Sequence, residues 1–195
     1  MGRALLAVAL AALAGACSPP APPEPAAEDI RDARLAALAF QGRLKAELLD
    51  RLDYSDPVAV YMAYRDHVRD MLEETGAKHD VTLKRTGLGV RNRANIPDDW
   101  EYGQLEAFAE AVAQGFDPAT LEASAIVEED GAQVFRWMRP TTAEEPCLVC
   151  HGDAISEKLL DMLARDYPDD EAVGYFPYEM LGAISARRVI EPGPD

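Results

Sequence analysis

The seven residues Cys147 to Asp153, CLVCHGD, hold two of the chain's three cysteines and one of its three histidines. Two cysteines separated by two residues and followed at once by a histidine suit one chemistry above others. Each thiol adds to one vinyl group of a haem, giving two thioethers, and the adjacent imidazole becomes a proximal ligand to the iron. Cys147 and Cys150 are then the attachment points, His151 is the iron ligand, and Gly152 leaves space beside the ring. Competing uses of the pair are a disulfide, a redox pair, or half of a zinc site that takes His67 and His79 as its further ligands. A redox pair of the thioredoxin kind opens a helix after a strand, and the element order read below does not offer that. The expected cofactor is one covalent haem c with its iron.

Haem attachment of this kind takes place outside the bacterial cytoplasm, and the N-terminus is that of an exported chain. Arg3 precedes an apolar run, Ala4 to Ala14, which has signal-peptide length and falls short of the ~20 apolar residues that span a bilayer. The stretch LAGAC (13–17) resembles the lipobox of bacterial lipoproteins, with Ala14 where leucine is usual. In such proteins the cysteine, here Cys17, becomes the lipidated first residue; a plain secretory signal with an incidental cysteine is the alternative. The expected organisation is a signal peptide over 1–16, a Pro/Ala-rich tether over 17–27, and a single haem domain over 28–195. The location expected is periplasmic, with membrane contact only through the lipid anchor. With Cys17 lipidated, two cysteines remain, fewer than a disulfide framework uses.

The formal net charge is -16. A surface this acidic repels nucleic acid and anionic membranes and favours a protein partner with a basic face. No nucleophile–base pair, catalytic carboxylate pair or phosphate loop is evident, so an enzyme is not expected.

The elements that must position the motif are legible in outline. Apolar residues from Ile30 to Leu52 recur about once per helical turn. Asp56-Pro57 starts a second helix expected to run to about Glu74, with Gly76 just past its end. Residues 80–86 alternate as a strand, and Pro97-Asp98-Asp99 opens another helix. Residues 121–129 and 132–138 flank Asp130-Gly131 as a hairpin; a helix follows over about 154–165 and a last strand over 183–190. The expected fold is α+β: long N-terminal helices against a small antiparallel sheet, with the Cys-x-x-Cys-His segment as a turn inserted late, between strands. Trp100, Phe108, Phe135 and Trp137 read as ordinary core.

Three stretches, LKRTGLGVRNRANIPDDWE (83–101), CLVCHGD (147–153) and YPDDEAVGYFPYEMLGAIS (167–185), together resemble a family of small c-type haem proteins with a PAS-like fold. The family is represented by a cyanobacterial protein and by periplasmic sensing parts of chemoreceptors and kinases. The pattern Arg91, Asn92, Asn95, Pro97, Trp100 and Glu101 carries most of the likeness, which covers roughly residues 55–190. The resemblance implies covalent haem at Cys147 and Cys150, His151 as axial ligand, and a second axial ligand, typically a cysteine, from an early helix. This chain departs there, since its early cysteine, Cys17, lies in the signal region.

The position equivalent to that cysteine falls at or near Tyr64. Val60, Tyr61, Tyr64, Val68, Met71 and Leu72 form one helical face, with His67 on its flank and Met62 on the opposite side. His67 is the favoured sixth ligand. Tyr64 as phenolate or distal donor, an open sixth site, and Met62, Met71, Met138 or His79 are the alternatives. Arg85, Arg91 and Arg93, with Asn92, are the candidates to hold the haem propionates, because an arginine fork matches a carboxylate. Tyr167 is assigned to the pocket wall. Two roles follow: a redox- or gas-responsive haem sensor, or a monohaem electron-transfer lipoprotein, each with a separate protein partner.

Overall fold

The structure, a computed structural model, describes residues 23–190. The expected signal peptide and Cys17 lie outside the described residues. Two long helices come first, α1 (Ala27–Tyr54) and α2 (Pro57–Lys78), followed by β1 (Thr82–Thr86), α3 (Asp99–Ala113), β2 (Ala123–Glu129) and β3 (Ala132–Thr142). The short helix α4 (Glu145–His151), α5 (Glu157–Asp166) and β4 (Met180–Ile190) complete the chain. The four strands form one antiparallel sheet in the order β1-β4-β3-β2. The α+β class is as expected from the sequence.

Strand alternation divides the core into two layers around the sheet. Leu83, Phe135, Trp137, Ile184 and Ala186 face the helical pair and pack with Phe40, Tyr64 and Met71. Met138 and Ala183 face the other way and pack with Leu105 and Phe108 of α3. Trp137 and Phe135 are fully buried, and each contributes on the order of 2–3 kcal/mol by leaving water. The sheet is therefore covered on both faces: by α1 and α2 on one, by α3 on the other. A third cluster joins Val58 and Tyr61 at the start of α2 to Ile155, Leu159 and Leu163. The Tyr61 hydroxyl donates to Asp166 at 2.6 Å across that contact. Among the described residues no helix is long and apolar enough to cross a membrane.

Two local expectations need correction. Helix α2 runs through Gly76 to Lys78. The chain folds back on this last turn, with Val81 N–H donating to Gly76 O at 3.1 Å. A Cβ at Gly76 would lie 2.4 Å from Val81 O, so the glycine serves a close backbone approach, not a helix stop. The Cys-x-x-Cys-His segment is a helix, not a turn: Pro146 occupies its first turn, and Cys147 N–H donates to Glu144 O at 2.8 Å. Gly152 ends this helix; a Cβ there would sit 2.6 Å from Leu148 O, a constraint independent of any ring beside it.

The sheet's α3 side carries a buried ionic knot. Asp98 and Glu101 form a capping box at the start of α3. The Glu101 carboxylate, only 2% exposed, also accepts from Lys84 Nζ of β1 at 2.7 Å and lies 3.6 Å from Arg136 of β3. Arg136 in turn bonds Asp98 and Glu129 at 2.7 and 2.6 Å and lies over the Trp100 ring. Three elements are thus tied through one carboxylate. Removing one partner of a buried ion pair costs about 3–5 kcal/mol because the remaining charge is left in low dielectric. Glu101→Ala should therefore lower unfolding stability in urea by about that amount, and a loss below about 1 kcal/mol would show that water replaces the carboxylate.

Candidate functional site

A cavity of about 480 Å³ opens where α2, β1, α4 and the connection after β1 meet, within the ~300–1,000 Å³ range of ligand pockets. Helix α2 supplies Val60, Tyr64, Val68 and Leu72; β1 supplies Leu83 and Arg85; α4 supplies Cys147, Cys150 and His151. Because α4 is helical, residues three and four apart share a side, so both thiols and the imidazole reach the same cavity. Both thiols are free and partly exposed. Burial pushes the Cys150 thiol above its ordinary pKa, partly offset by the charge of Arg91.

His151 is held by the backbone. Its Nδ1 lies 2.7 Å from Ala172 O, and since a carbonyl only accepts, Nδ1 carries the proton. In the neutral ring Nε2 then keeps its lone pair. Burial, and next the charges of Arg91 and Arg85, push the imidazole pKa down to about 3. The ring is therefore neutral at ordinary pH, as a metal ligand requires.

The carbonyl that takes this hydrogen bond is itself fixed. Arg91 donates through Nε to Asp170 at 2.7 Å and through Nη2 to Cys150 O at 2.6 Å and Ala172 O at 3.3 Å. Asp170 also accepts from Ala172 N–H at 2.8 Å. Gly174 and Tyr175 N–H groups bond to Gly152 O and His151 O, both at 3.0 Å. The segment 170–175 thus wraps the end of α4. Asp170 and the Ala172 carbonyl were not read as site groups from the sequence: the stretch YPDDEA stood out, but a backbone acceptor has no residue signature.

The three candidate arginines separate. Arg85 lies on the cavity face of β1, beside Leu83 in the strand's alternation, and makes no hydrogen bond or ion pair among the described residues. Burial lowers its pKa, and no carboxylate counters the effect. Arg91 lines the cavity, but its donors are engaged as described. Arg93 is at the surface, paired with Asp169 at 3.2 Å, and is not among the lining residues. Asn92 borders the cavity, while its Oδ1 accepts from Ala94 N–H at 2.9 Å to cap a 3-10 turn. Tyr167 contributes to the wall.

The opposite wall does not bring His67 in. Its Nε2 pairs with Glu47 of α1 at 3.2 Å, on the outer flank of α2. Tyr64 presents its ring to the cavity; its hydroxyl donates to the same Glu47 at 3.3 Å, and burial raises its pKa, so the phenol stays protonated. Met62 is 60% exposed, Met71 and Met138 are buried in the two core layers, and His79 caps the end of α2. Among the described lining residues, His151 is the sole histidine and there is no methionine. Among the described residues, no group of three or more His, Cys, Asp or Glu side chains forms a site for a bare metal ion, which leaves the zinc alternative without a ligand set.

The depressed histidine pKa has a consequence for stability. An unfolded His151 takes up a proton below its ordinary pKa of 6.5, whereas the folded ring resists until about 3. The unfolded state therefore binds more protons in that window, and stability falls as pH drops through it. Urea unfolding of the chain with free thiols should lose stability from pH 6.5 toward 3, and His151→Asn should flatten part of that slope. An identical slope in the variant would assign the loss to other groups.

Comparisons with known proteins agree with this architecture. The crystal structure of the cyanobacterial heme-protein Tll0287 superposes with a TM-score of 0.56 at 17% identity, over 80% of this chain and 89% of that one. At that identity the likeness speaks for the fold. No curated protein matches the chain. The profile of the Tll0287-like family matches residues 28–188, nearly everything from the first helix to the last strand, and the chain belongs to that family.

Proposed function

We propose that the cavity holds one haem, joined by thioethers to Cys147 and Cys150, with His151 as an axial ligand of the iron. The observation that carries this reading is the arrangement on α4: two free thiols and a neutral imidazole open onto one cavity, and the imidazole's other nitrogen is committed to Ala172 O. Metal-bound histidines are oriented in this way, by donation from the second ring nitrogen. Arg85, without a protein partner among the described residues, is the group placed to bind a propionate. Such a haem supplies a one-electron couple and a coordination position for small ligands.

The cavity wall favours the sensor over the carrier. Electron-transfer haems of the cytochrome c type keep a second strong ligand such as methionine, and here the α2 wall presents Tyr64, Val68 and Leu72 with Arg65, Arg69 and Glu73, and no histidine or methionine among the described lining residues. A sixth position without a strong protein ligand suits a redox- or gas-responsive module with a binding role, not a catalytic one. The domain reads as PAS-like, exported to the periplasm and tethered through lipidated Cys17. Its net charge of -16 suits a signalling partner with a basic face.

Absorption spectra of the exported protein, made with haem-attachment machinery, test both levels. Cys147→Ala combined with Cys150→Ala should leave no haem after denaturing extraction; retained haem would defeat covalent attachment. The ferrous protein should be high-spin and bind carbon monoxide, and His67→Ala should leave its spectrum unchanged. A low-spin ferrous form indifferent to carbon monoxide would move the reading to electron transfer.

A further inference from the structure

We infer that Arg91 and Asp170 form a positioning pair that tunes the iron through the His151 hydrogen bond. The inference rests on the haem reading above and goes beyond it.

The geometry is a closed loop of contacts. Arg91 Nη2 and His151 Nδ1 both reach Ala172 O, at 3.3 and 2.7 Å, so one carbonyl serves two donors. The same Nη2 bonds Cys150 O at 2.6 Å, which ties the guanidinium to the residue before His151. Asp170 fixes the other side, accepting from Arg91 Nε at 2.7 Å and from Ala172 N–H at 2.8 Å. Both members are sheltered, with side chains 12% and 10% exposed, so this pair is far less screened than a surface pair.

Two effects of Arg91 on a bound iron then have the same sign. A donor competing for Ala172 O weakens that carbonyl as an acceptor from His151, which makes the imidazole a poorer electron donor to the metal. The fixed positive charge beside the histidine also disfavours the more positive ferric state. Both raise the reduction potential. Asp170 acts in the opposite electrostatic sense while holding Arg91 in place. Arg91 lines the cavity, but its Nε and Nη2 donors are taken up by Asp170, Cys150 O and Ala172 O, so it acts through the His151 hydrogen bond and through its charge and not as an iron ligand.

The experiment is a mediated potentiometric titration of the one-electron ferric/ferrous couple in the full haem-loaded chain. It compares the unaltered protein with Arg91→Gln, Arg91→Lys and Asp170→Asn. Arg91→Gln should shift the ferric-to-ferrous ratio at fixed potential about tenfold toward ferric, ~59 mV for one electron. Arg91→Lys, which keeps charge but not the fork, should recover part of that shift. Asp170→Asn, which keeps the shape, should move the couple the other way. Opposite signs separate tuning from simple loosening, which would displace both variants alike. If Arg91→Gln fails to fold, Asp170→Asn decides alone: a positive shift with unchanged ligation supports the pair, and no shift overturns it. An unaltered protein that carries no covalent haem would defeat the underlying reading; a loaded protein with an Arg91→Gln potential equal to its own would defeat this inference alone.

Discussion

One guanidinium connects the parts of the chain that make the cavity wall. Arg91 comes from the connection after β1, Cys150 from α4, and Asp170 and Ala172 from the segment before β4. None of these is long regular structure, and α4 is a helix of seven residues, too short to hold itself in place. Its end is fixed by acceptors and donors from elsewhere: Arg91 on Cys150 O, Ala172 O on His151, and the 174–175 amides on Gly152 O and His151 O. A planar fork presents several donors in fixed directions, which suits a carboxylate and two carbonyls together better than the single flexible ammonium of a lysine. The orientation of the imidazole is thus a property of three distant chain segments meeting on one side chain.

The second ionic centre, around Glu101, does the same for the sheet. It joins β1, β3 and the start of α3, and it also fixes the loop that leads from β1 past Arg91: Lys84 reaches both Glu101 and Ile96 O, and Thr86 donates to Asn95 O. Both centres bury charge, which is costly to desolvate, and both offset it by ion pairing, with the buried Arg136 Nε left without a partner among the described residues. The stretch 91–101, singled out in the sequence, is therefore largely scaffolding: Arg91 locks α4, Asn92 caps a turn, and Glu101 closes the ionic knot.

Against these fixed walls, α2 contributes a mainly apolar strip together with Arg65, Arg69 and Glu73. Tyr64, Val68 and Leu72 face the cavity, and the polar end of Tyr64 joins Glu47 and His67 outside it. The functional reading rests on this asymmetry: a strongly held imidazole on one side, and on the other a wall without a histidine or methionine among the described residues.

The sequence by itself determined much of this. Periodicity marked the two long helices and the hairpin, and Pro97-Asp98-Asp99 marked a helix start, because spacing and capping act over a few residues. That Cys147, Cys150 and His151 line one cavity was legible for the same reason, since a contiguous motif needs little of the fold to bring it together. Tertiary structure decided what each long side chain touches. Arg85, Arg91 and Arg93 look alike in sequence, yet one lines the cavity with no partner among the described residues, one clamps α4 and one pairs at the surface. His67, on the flank of its helix, could have turned to either side, and Glu47 on α1 set its direction. Carbonyl acceptors such as Ala172 O leave no mark in residue identity, so the histidine's orientation could come only from chain segments that pack together in three dimensions.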